Sequence, residues 1–267
     1  MPELPEVETV TRSLATLVGR RIVSAEFRCL RILRGGDPDR MAACLAGRQI
    51  MGVKRYGKFI LAALVGPESV GFLLMHLGMT GKLLLGGGAG KHTHAIFTLD
   101  RGVLLFDDPR QFGSIEFSED FPARIAKLGP EPLEIPFDAF ASELKRHKTR
   151  VKALLLDQRF VRGVGNIYAD EALFRAGIHP MAIACRLRGE RPRRLYESMR
   201  AVLTEAIAAG GSSISDYVDA QGRKGFFQFS HRVYQRTGEP CVNCGTAIRR
   251  VLVTQRSSHF CPQCQRR

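Results

Sequence analysis

The chain contains no long uninterrupted hydrophobic run. Its longest apolar segment, near Gly71 to Leu77, is short and is interrupted by His76, whereas a membrane-spanning helix needs about 20 consecutive apolar residues. No stretch resembles a secretory signal peptide either. These absences predict a cytoplasmic protein that does not act at a membrane.

Acidic residues are scarce relative to basic ones. The 267 residues include 40 Lys and Arg but only 26 Asp and Glu, which gives a formal net charge of +14. From Arg223 to Arg267 there are nine basic residues against the single acid Glu239, so this stretch alone carries +8. A chain this basic is expected to bind a polyanion, either nucleic acid or an anionic membrane surface, although a solvated basic tail has the same composition.

Cysteine is present in an odd number, seven. An odd count without a secretory signal argues against a disulfide framework and for a reducing compartment. Three cysteines are scattered, and the other four form Cys241-x2-Cys244 and, after sixteen residues, Cys261-x2-Cys264. Two such knuckles are typical of a structural zinc site, in which four thiolates fill the tetrahedron and leave no open position for catalysis. We therefore expect one Zn²⁺.

The residues between the two knuckles predict a β-hairpin. Its strands are expected over Ile248–Thr254 and His259–Phe260, joined over Gln255–Ser258 with Arg256 at the tip. A metal-anchored hairpin would hold this guanidinium rigidly, which suits a phosphate. Zinc ribbons also occur in many proteins that are not enzymes, so this signal indicates nucleic-acid contact and no more.

The first 117 residues are rich in strand signals after one opening helix, which is expected over Pro5–Val18. So many short antiparallel candidates predict a β-sandwich. The expected strands are Arg21–Phe27, Gln49–Lys54, Phe59–Val65, Val70–His76, Lys82–Leu85, His94–Leu99, Val103–Asp107 and Ser114–Phe117.

The composition changes after residue 117. Four prolines within 15 residues indicate a linker over 118–136. The stretch Ser212–Phe229 has no clear periodicity and is expected to be a mobile loop. We therefore predict domains over 1–117, 137–229 and 230–267. The expected helices are Phe137–His147, Thr149–Leu156, Asn166–Ala176 and Arg191–Ala209, the last ended by Gly210-Gly211.

The N-terminal sequence Met1-Pro2-Glu3 suggests a nucleophile. The initiator Met is usually removed before a small residue, which would leave Pro2 with a free secondary amine. Such amines titrate near pH 8, so a useful fraction is neutral at physiological pH. Attack on the anomeric carbon of a sugar would give an iminium that acidifies neighbouring C–H bonds. The alternative is that Pro2 and Glu3 merely begin a helix.

Several motifs, in this order, resemble the formamidopyrimidine-DNA glycosylases, also called 8-oxoguanine DNA glycosylases. The resemblance extends over essentially the whole chain. Its motifs are Pro2–Thr9, Gly57-Lys58, His76–Gly81, Asp107–Gly113, Gly163–Glu171 and the zinc knuckles.

The resemblance implies roles for four catalytic residues. Pro2 would be the Schiff-base nucleophile, and Glu3 would donate the proton that assists opening of the sugar ring. Lys58 would donate a proton for β-elimination and contact a phosphate. Arg256 is linked to δ-elimination and to the phosphates of the target nucleotide. Because the pKa of Arg exceeds about 12, the phosphate role is the better founded.

The resemblance also implies how damaged DNA is held. The lesion must be flipped out of the duplex, and the family fills the gap with a wedge that corresponds to Met75, Arg110 and Phe112. Arg110 would pair with the orphaned cytosine. Glu6 would line the lesion pocket, and Ser212–Phe229 would close over it.

The helices over 137–176 resemble the helix-two-turn-helix unit of the family. Asn166 follows Gly163-Val164-Gly165 at an expected helix start, where backbone N–H groups favour a phosphate, although an ordinary N-cap is the alternative. The implied phosphate contacts are His92, Lys152, Asn166 and Tyr234.

Two positions depart from the family, and two other interpretations exist. Gln111 stands where the family often has Arg, and Thr93 where it often has Asp. The related endonuclease-eight branch prefers oxidised pyrimidines, but it typically has Gly where Leu4 stands and lacks the Arg110–Phe112 wedge. A zinc-ribbon DNA-binding protein without activity fits the charge and the cysteines equally well but leaves the N-terminal motif unexplained.

The sequence thus predicts an α+β multidomain protein. An N-terminal antiparallel β-sandwich with flanking helices would precede a helical helix-two-turn-helix domain and a zinc-ribbon β-hairpin. The expected function is that of a bifunctional glycosylase and abasic-site lyase of base excision repair that cleaves by β,δ-elimination. Its expected substrate is double-stranded DNA with oxidised purines, preferably opposite cytosine, and the enzyme would be a cytoplasmic, nucleoid-associated monomer with one structural Zn²⁺.

Overall fold

The computed structural model describes residues 1–67, 69–214 and 216–266. The chain divides into two compact units, which are described separately. Unit 1 comprises Met1–Lys127 and Ala209–Phe226, and unit 2 comprises Leu128–Ala208 and Phe227–Arg267. No helix of the described residues is long and apolar enough to cross a membrane.

Unit 1 is a β-sandwich, as predicted. One sheet has the strand order β1-β7-β8-β6, and the other has the order β2-β9-β5-β4-β3. Neighbouring strands are antiparallel except β2 and β9, which run parallel over two residues. The strands are β1 (Ile22–Phe27), β2 (Leu33–Arg34), β3 (Gln49–Tyr56), β4 (Phe59–Val65), β5 (Val70–His76), β6 (Lys82–Leu85), β7 (Thr93–Leu99), β8 (Val103–Asp107) and β9 (Ser114–Ser118).

The core of unit 1 contains residues from both sheets and from the first helix, α1 (Leu4–Ser13). Val7 and Val10 of α1 are buried because they recur at helical spacing on one face. The predicted end at Val18 was too late, since the helix tightens into a 3-10 turn after Ser13.

The sequence prediction missed α2 (Pro38–Leu45). Its start carries two recognisable signals, because Pro38 occupies the first turn and the Asp37 carboxylate accepts the N–H of Arg40 at 2.9 Å. A third short helix, α3 (Ala123–Ala126), lies within the predicted linker.

Residues 209–226 belong to unit 1, and the described part of this segment forms no helix or strand. Ser215, within the predicted mobile loop, lies outside the described residues. The N–H of Leu85 donates to the Ala220 carbonyl at 2.8 Å, and the N–H of Ala220 donates to Ser13 Oγ at 3.2 Å. These bonds attach the segment to β6 and α1, so the compact units group it differently from the predicted domains.

Unit 2 contains four helices followed by a hairpin. The third helix, α6, is buried from Ile167 to Phe174, so it forms the centre of this unit. The elements are α4 (Phe137–Arg146), α5 (Val151–Leu156), α6 (Asn166–Arg175), α7 (Arg191–Ala208), β10 (Arg249–Val253) and β11 (Arg256–Phe260).

The hairpin turn differs from the prediction by one position. Thr254 and Gln255 both have positive φ, at 46° and 60°, which is the requirement of a two-residue type I′ turn. Arg256 therefore does not form the tip but begins β11 opposite Val253.

Candidate active site and nucleic-acid interface

The N-terminal motif forms a reciprocal pair of hydrogen bonds at the start of α1. Pro2 is buried and precedes Glu3, the N-cap, whose side chain accepts the N–H of Glu6. In return, the N–H of Glu3 donates to Glu6 Oε2 at 2.8 Å. Such a capping box fixes both carboxylates relative to the backbone. The prediction that a helix begins here is confirmed, and the orientation of Glu3 next to Pro2 follows from it.

Glu6 also binds the segment that the sequence predicts to close over the lesion. Its second oxygen, Oε1, accepts the N–H of Ser212 at 2.7 Å. Gly211 has a φ of +82°, and a Cβ on it would lie 2.8 Å from Glu6 Oε1. Tyr217 donates its hydroxyl to the Glu6 carbonyl at 3.2 Å, and burial together with the charge of Glu6 raises the Tyr217 pKa. The segment is therefore bound to α1 through both the side chain and the backbone of Glu6.

Lys58 lies in the turn between β3 and β4, next to a neutral histidine. His76 is opposite Phe59 in the sheet, with ring centroids 4.7 Å apart, and its Nδ1 accepts the N–H of Gly78 at 3.0 Å. Burial, and then the positive charges of Lys58 and Arg124, lower the pKa of His76 to about 4. At neutral pH the imidazole is uncharged beside these cations. Sequence analysis used His76 only as part of a motif.

A buried aspartate anchors two loops at one edge of the sandwich. Asp108 is fully buried. Its Oδ1 accepts the Thr80 hydroxyl at 2.5 Å and the N–H of Arg110 at 3.3 Å, and its Oδ2 accepts the N–H of Gly113 at 2.7 Å. The loop over 108–113 is thereby held against the turn over 77–81. A Cβ on Gly78 would collide with the backbone of Phe112, which shows how closely the two loops approach.

These two loops present three exposed side chains. The Arg110 guanidinium lies 4.7 Å from the centroid of the Phe112 ring, and Phe112 is 45% exposed. Met79, in the neighbouring turn, is 41% exposed.

The predicted wedge role of Met75 is wrong. Met75 is 2% exposed and belongs to the core of the sandwich, because it lies within β5 on the face that packs against the other sheet. A buried side chain there cannot enter a base stack. Met79 is the methionine that the structure leaves accessible, and its place after Gly78, outside the apolar run of β5, is a signal that sequence analysis overlooked.

The two departures from the family both occupy constrained positions. Thr93 is buried, and its hydroxyl donates to Asp107 at 2.6 Å while accepting the N–H of Gly90 at 2.7 Å. It thus fixes the start of β7 beside the exposed His92. Gln111 adopts a φ of 54° in the loop that carries Arg110.

Unit 2 contains an open groove whose described lining includes no carboxylate. Asn166 begins α6 as predicted, and Tyr234 packs edge-on against His259 at 5.3 Å. Arg256 is exposed. The groove is lined by Asn166, Tyr234, Gln235, Thr237, Arg250, Gln255, Arg256, Ser257 and His259. Two guanidiniums among neutral polar groups suit a phosphate.

Lys152 does not line this groove, so the predicted phosphate contact is wrong. Its side chain is 0% exposed and lies 2.7 Å from Asp170 Oδ1, with Nζ also donating to the Ser257 carbonyl at 2.7 Å. Burial could not be foreseen from the local pattern, because both partners are distant in the sequence.

The four predicted zinc ligands come together. Their Sγ atoms all lie within 4.8 Å of one another, with separations of 3.9 Å for Cys241–Cys264 and 3.4 Å for Cys244–Cys261. A tetrahedral site with Zn–S bonds of about 2.3 Å requires sulfurs roughly 3.8 Å apart. The residues therefore fit one Zn²⁺, and all four tetrahedral positions are occupied by protein ligands.

Comparison with known proteins gives the same assignment along the whole chain. Family models match residues 1–115 as a formamidopyrimidine-DNA glycosylase N-terminal domain, 128–218 as its H2TH domain, and 238–267 as a zinc finger found in FPG and IleRS. A formamidopyrimidine-DNA glycosylase of Solibacter usitatus is 74% identical over 267 residues, with 100% of both chains covered.

Solved structures of such enzymes are also similar. The Fpg protein of Thermus thermophilus matches with a TM-score of 0.89 and 44% identity, covering 99% of this chain and 98% of that one. Lactococcus lactis Fpg bound to DNA with an abasic site matches with a TM-score of 0.90 and 36% identity, covering 99% and 100%. The sandwich, the central helix α6 and the four-cysteine hairpin together make this chain a member of the formamidopyrimidine-DNA glycosylase family.

Proposed function

We propose that this chain excises oxidised purines from DNA in base excision repair and then cleaves the strand, with Pro2 as its nucleophile. The observation that carries this proposal is the buried Glu3–Glu6 capping box, which fixes a carboxylic acid directly beside Pro2. Two relatives support the substrate class, since Lactococcus lactis Fpg has been solved with DNA containing an abasic site and with DNA containing Fapy-dG.

The chemistry requires a processed N-terminus. Once Met1 is removed, the neutral Pro2 nitrogen attacks C1′ of the damaged nucleotide, and the bond from C1′ to the base breaks. Glu3 gives a proton to the ring oxygen as the sugar opens, which leaves an iminium between Pro2 and C1′.

Strand cleavage follows from the acidity of the iminium. Loss of a C2′ proton expels the 3′ phosphate, and a second elimination expels the 5′ phosphate. Lys58 lies near the neutral His76 and supplies a proton and a cation during the first step. Arg256 binds phosphate and so stabilises the charge that develops on it.

The remaining residues hold the DNA. Arg110, Phe112 and Met79 occupy the space of the extruded base, and Arg110 hydrogen-bonds to the unpaired base opposite, which favours cytosine. Glu6 lines the lesion pocket. His92 in unit 1 and Asn166, Tyr234 and Arg256 in unit 2 bind backbone phosphates.

Zinc has a structural role, because its four cysteines leave no position for a reacting group. The bound ion supplies rigidity to the hairpin that bears Arg256. The enzyme acts as a monomer on DNA in the cytoplasm, at the nucleoid.

Covalent trapping tests the nucleophile. We expect borohydride to yield a protein–DNA adduct with an 8-oxoguanine duplex, and intact mass to show a polypeptide without Met1. Pro2→Gly should abolish the adduct, whereas Pro5→Ala, which keeps the Pro2 amine, should retain it. Full excision by a chain that keeps Met1, or an undiminished adduct with Pro2→Gly, would refute the mechanism.

A further inference from the structure

We propose that Asp170 and Glu171, two neighbouring residues of α6, act with Lys152 as positioning residues that align the phosphate groove of unit 2. This inference rests on the proposed phosphate-binding role of that groove. It assigns to Lys152 a function that differs from the direct DNA contact expected from sequence.

Asp170 binds the strand that carries Arg256. Its side chain is 0% exposed, and Oδ2 accepts the N–H of His259 at 2.9 Å and lies 3.1 Å from His259 Nδ1. Its Oδ1 pairs with Lys152 Nζ at 2.7 Å, and the same Nζ donates to the Ser257 carbonyl at 2.7 Å. Two of the three residues that follow Arg256 are therefore attached to the buried ion pair.

Glu171 binds the other wall of the groove. It is fully buried, and Oε1 accepts the N–H groups of Arg232, Val233 and Tyr234 at 3.0, 3.0 and 2.9 Å. Burial raises its pKa, and these three N–H groups oppose the shift. The segment that presents Tyr234 is thus fixed by the residue next to Asp170.

The same helix also supplies a groove residue directly. Asn166 begins α6 and lies in the lining, four residues or about one turn before Asp170. One rigid helix therefore presents Asn166 and fixes the two other elements that line the groove. Displacement of either attached element would move its phosphate donors relative to Asn166.

A contribution to stability is a weak explanation for the buried pair. Taking Lys and Asp out of water costs about as much as their attraction returns, and well-packed apolar residues often serve equally well. What an apolar pair cannot supply is the directional bond from Lys152 to the Ser257 carbonyl. Zinc holds the hairpin through Cys261, beyond the end of β11, so the ion pair and not the metal sets the position of Arg256 relative to α6.

A double-mutant cycle distinguishes positioning from general structural support. The variants are Lys152→Met, Arg256→Ala and their combination, with Lys145→Met as a control at an exposed lysine of α4. Each is measured for zinc content, melting temperature and affinity for a duplex with a tetrahydrofuran abasic-site analogue. We expect each single variant to weaken binding about tenfold, which is the scale of one charge-assisted hydrogen bond.

The combination decides the question. If Lys152 acts through Arg256, the double variant binds no more weakly than Arg256→Ala alone. Multiplication of the two effects, or wild-type affinity of Lys152→Met, overturns the inference. Wild-type affinity of Arg256→Ala instead refutes the phosphate role of the groove, so the two failures are distinguishable.

Loss of zinc or of the folded state in Lys152→Met would leave a buried unpaired carboxylate as the cause. The charge-balanced variant Lys152→Met with Asp170→Leu removes that carboxylate and carries the same cycle against Arg256→Ala. We expect it to retain zinc and to show the same non-additivity, and additive effects in this folded background would overturn the inference.

Discussion

The two units hold their candidate residues by different means. In unit 1, the loops that carry Arg110, Phe112 and Met79 extend from a sandwich with a large apolar core. In unit 2, the hairpin that carries Arg256 has only a small buried cluster beside the zinc ligands and is held by metal and buried ion pairs. Hydrophobic packing tolerates the loss of one contact, whereas a metal site or a buried charge pair fails as a whole.

The contrast is visible in two lysines, one in each unit, that sequence analysis assigned the same kind of phosphate contact. Lys58 stands in a turn of unit 1 and is half-buried, whereas Lys152 in α5 is completely buried. Only the first can move to meet a substrate. The second is fixed by partners on α6 and β11, which explains why a local motif alone assigned it wrongly.

Removal of zinc should have the largest effect on this comparison. Structural zinc contributes about 10–16 kcal/mol to the folding of small modules, so chelation should unfold the hairpin and abolish DNA binding while leaving the sandwich intact. Limited proteolysis should then cut within 231–266, and thermal unfolding of unit 1 should persist. Cys185→Ser, outside the site, should retain one zinc per chain. Undiminished DNA affinity of the metal-free protein would contradict a hairpin that depends on the ion.

The strands of the sandwich were predictable from sequence because their signal is local. Alternation and turn residues were enough to predict β4, β5, β6 and β8 with their observed bounds, and the spacing of Cys241 to Cys264 was sufficient for the metal site. Burial of Met75 and Lys152 depends instead on residues far away in the sequence. The same holds for Asp170 and Glu171, whose partners become visible only in three dimensions.

The next largest effect should separate the two methionines of unit 1. Met75→Ala removes a buried side chain from the core and should lower the free energy of unfolding by about 2–5 kcal/mol. Met79→Ala should change it by less than about 0.5 kcal/mol but weaken affinity for lesion-containing duplex. Denaturant unfolding and binding measurements on the same two proteins make the test. Loss of binding without loss of stability in Met75→Ala would restore the wedge role that the structure removes.

The smallest expected effect concerns two histidines, one in each unit, whose pKa values both fall to about 4. In His231 burial alone lowers the pKa, whereas in His76 the charges of Lys58 and Arg124 add to burial. Between pH 6.5 and 4 the unfolded chain binds a proton that the folded chain does not, so stability falls as pH falls through this window. A gap of about 2.5 pH units corresponds to at most about 3 kcal/mol for each histidine.

Comparison of His76→Gln with His231→Gln should separate the two causes. Each variant should lose less stability than the wild type between pH 6.5 and 5 in the unfolding of its own unit. Salt screens exposed charges but not burial, so 0.5 M NaCl should reduce the pH dependence due to His76 and leave that due to His231 unchanged. Equal sensitivity of the two histidines to salt would show that the cations beside His76 do not act on it, and would remove the electrostatic link between that imidazole and Lys58.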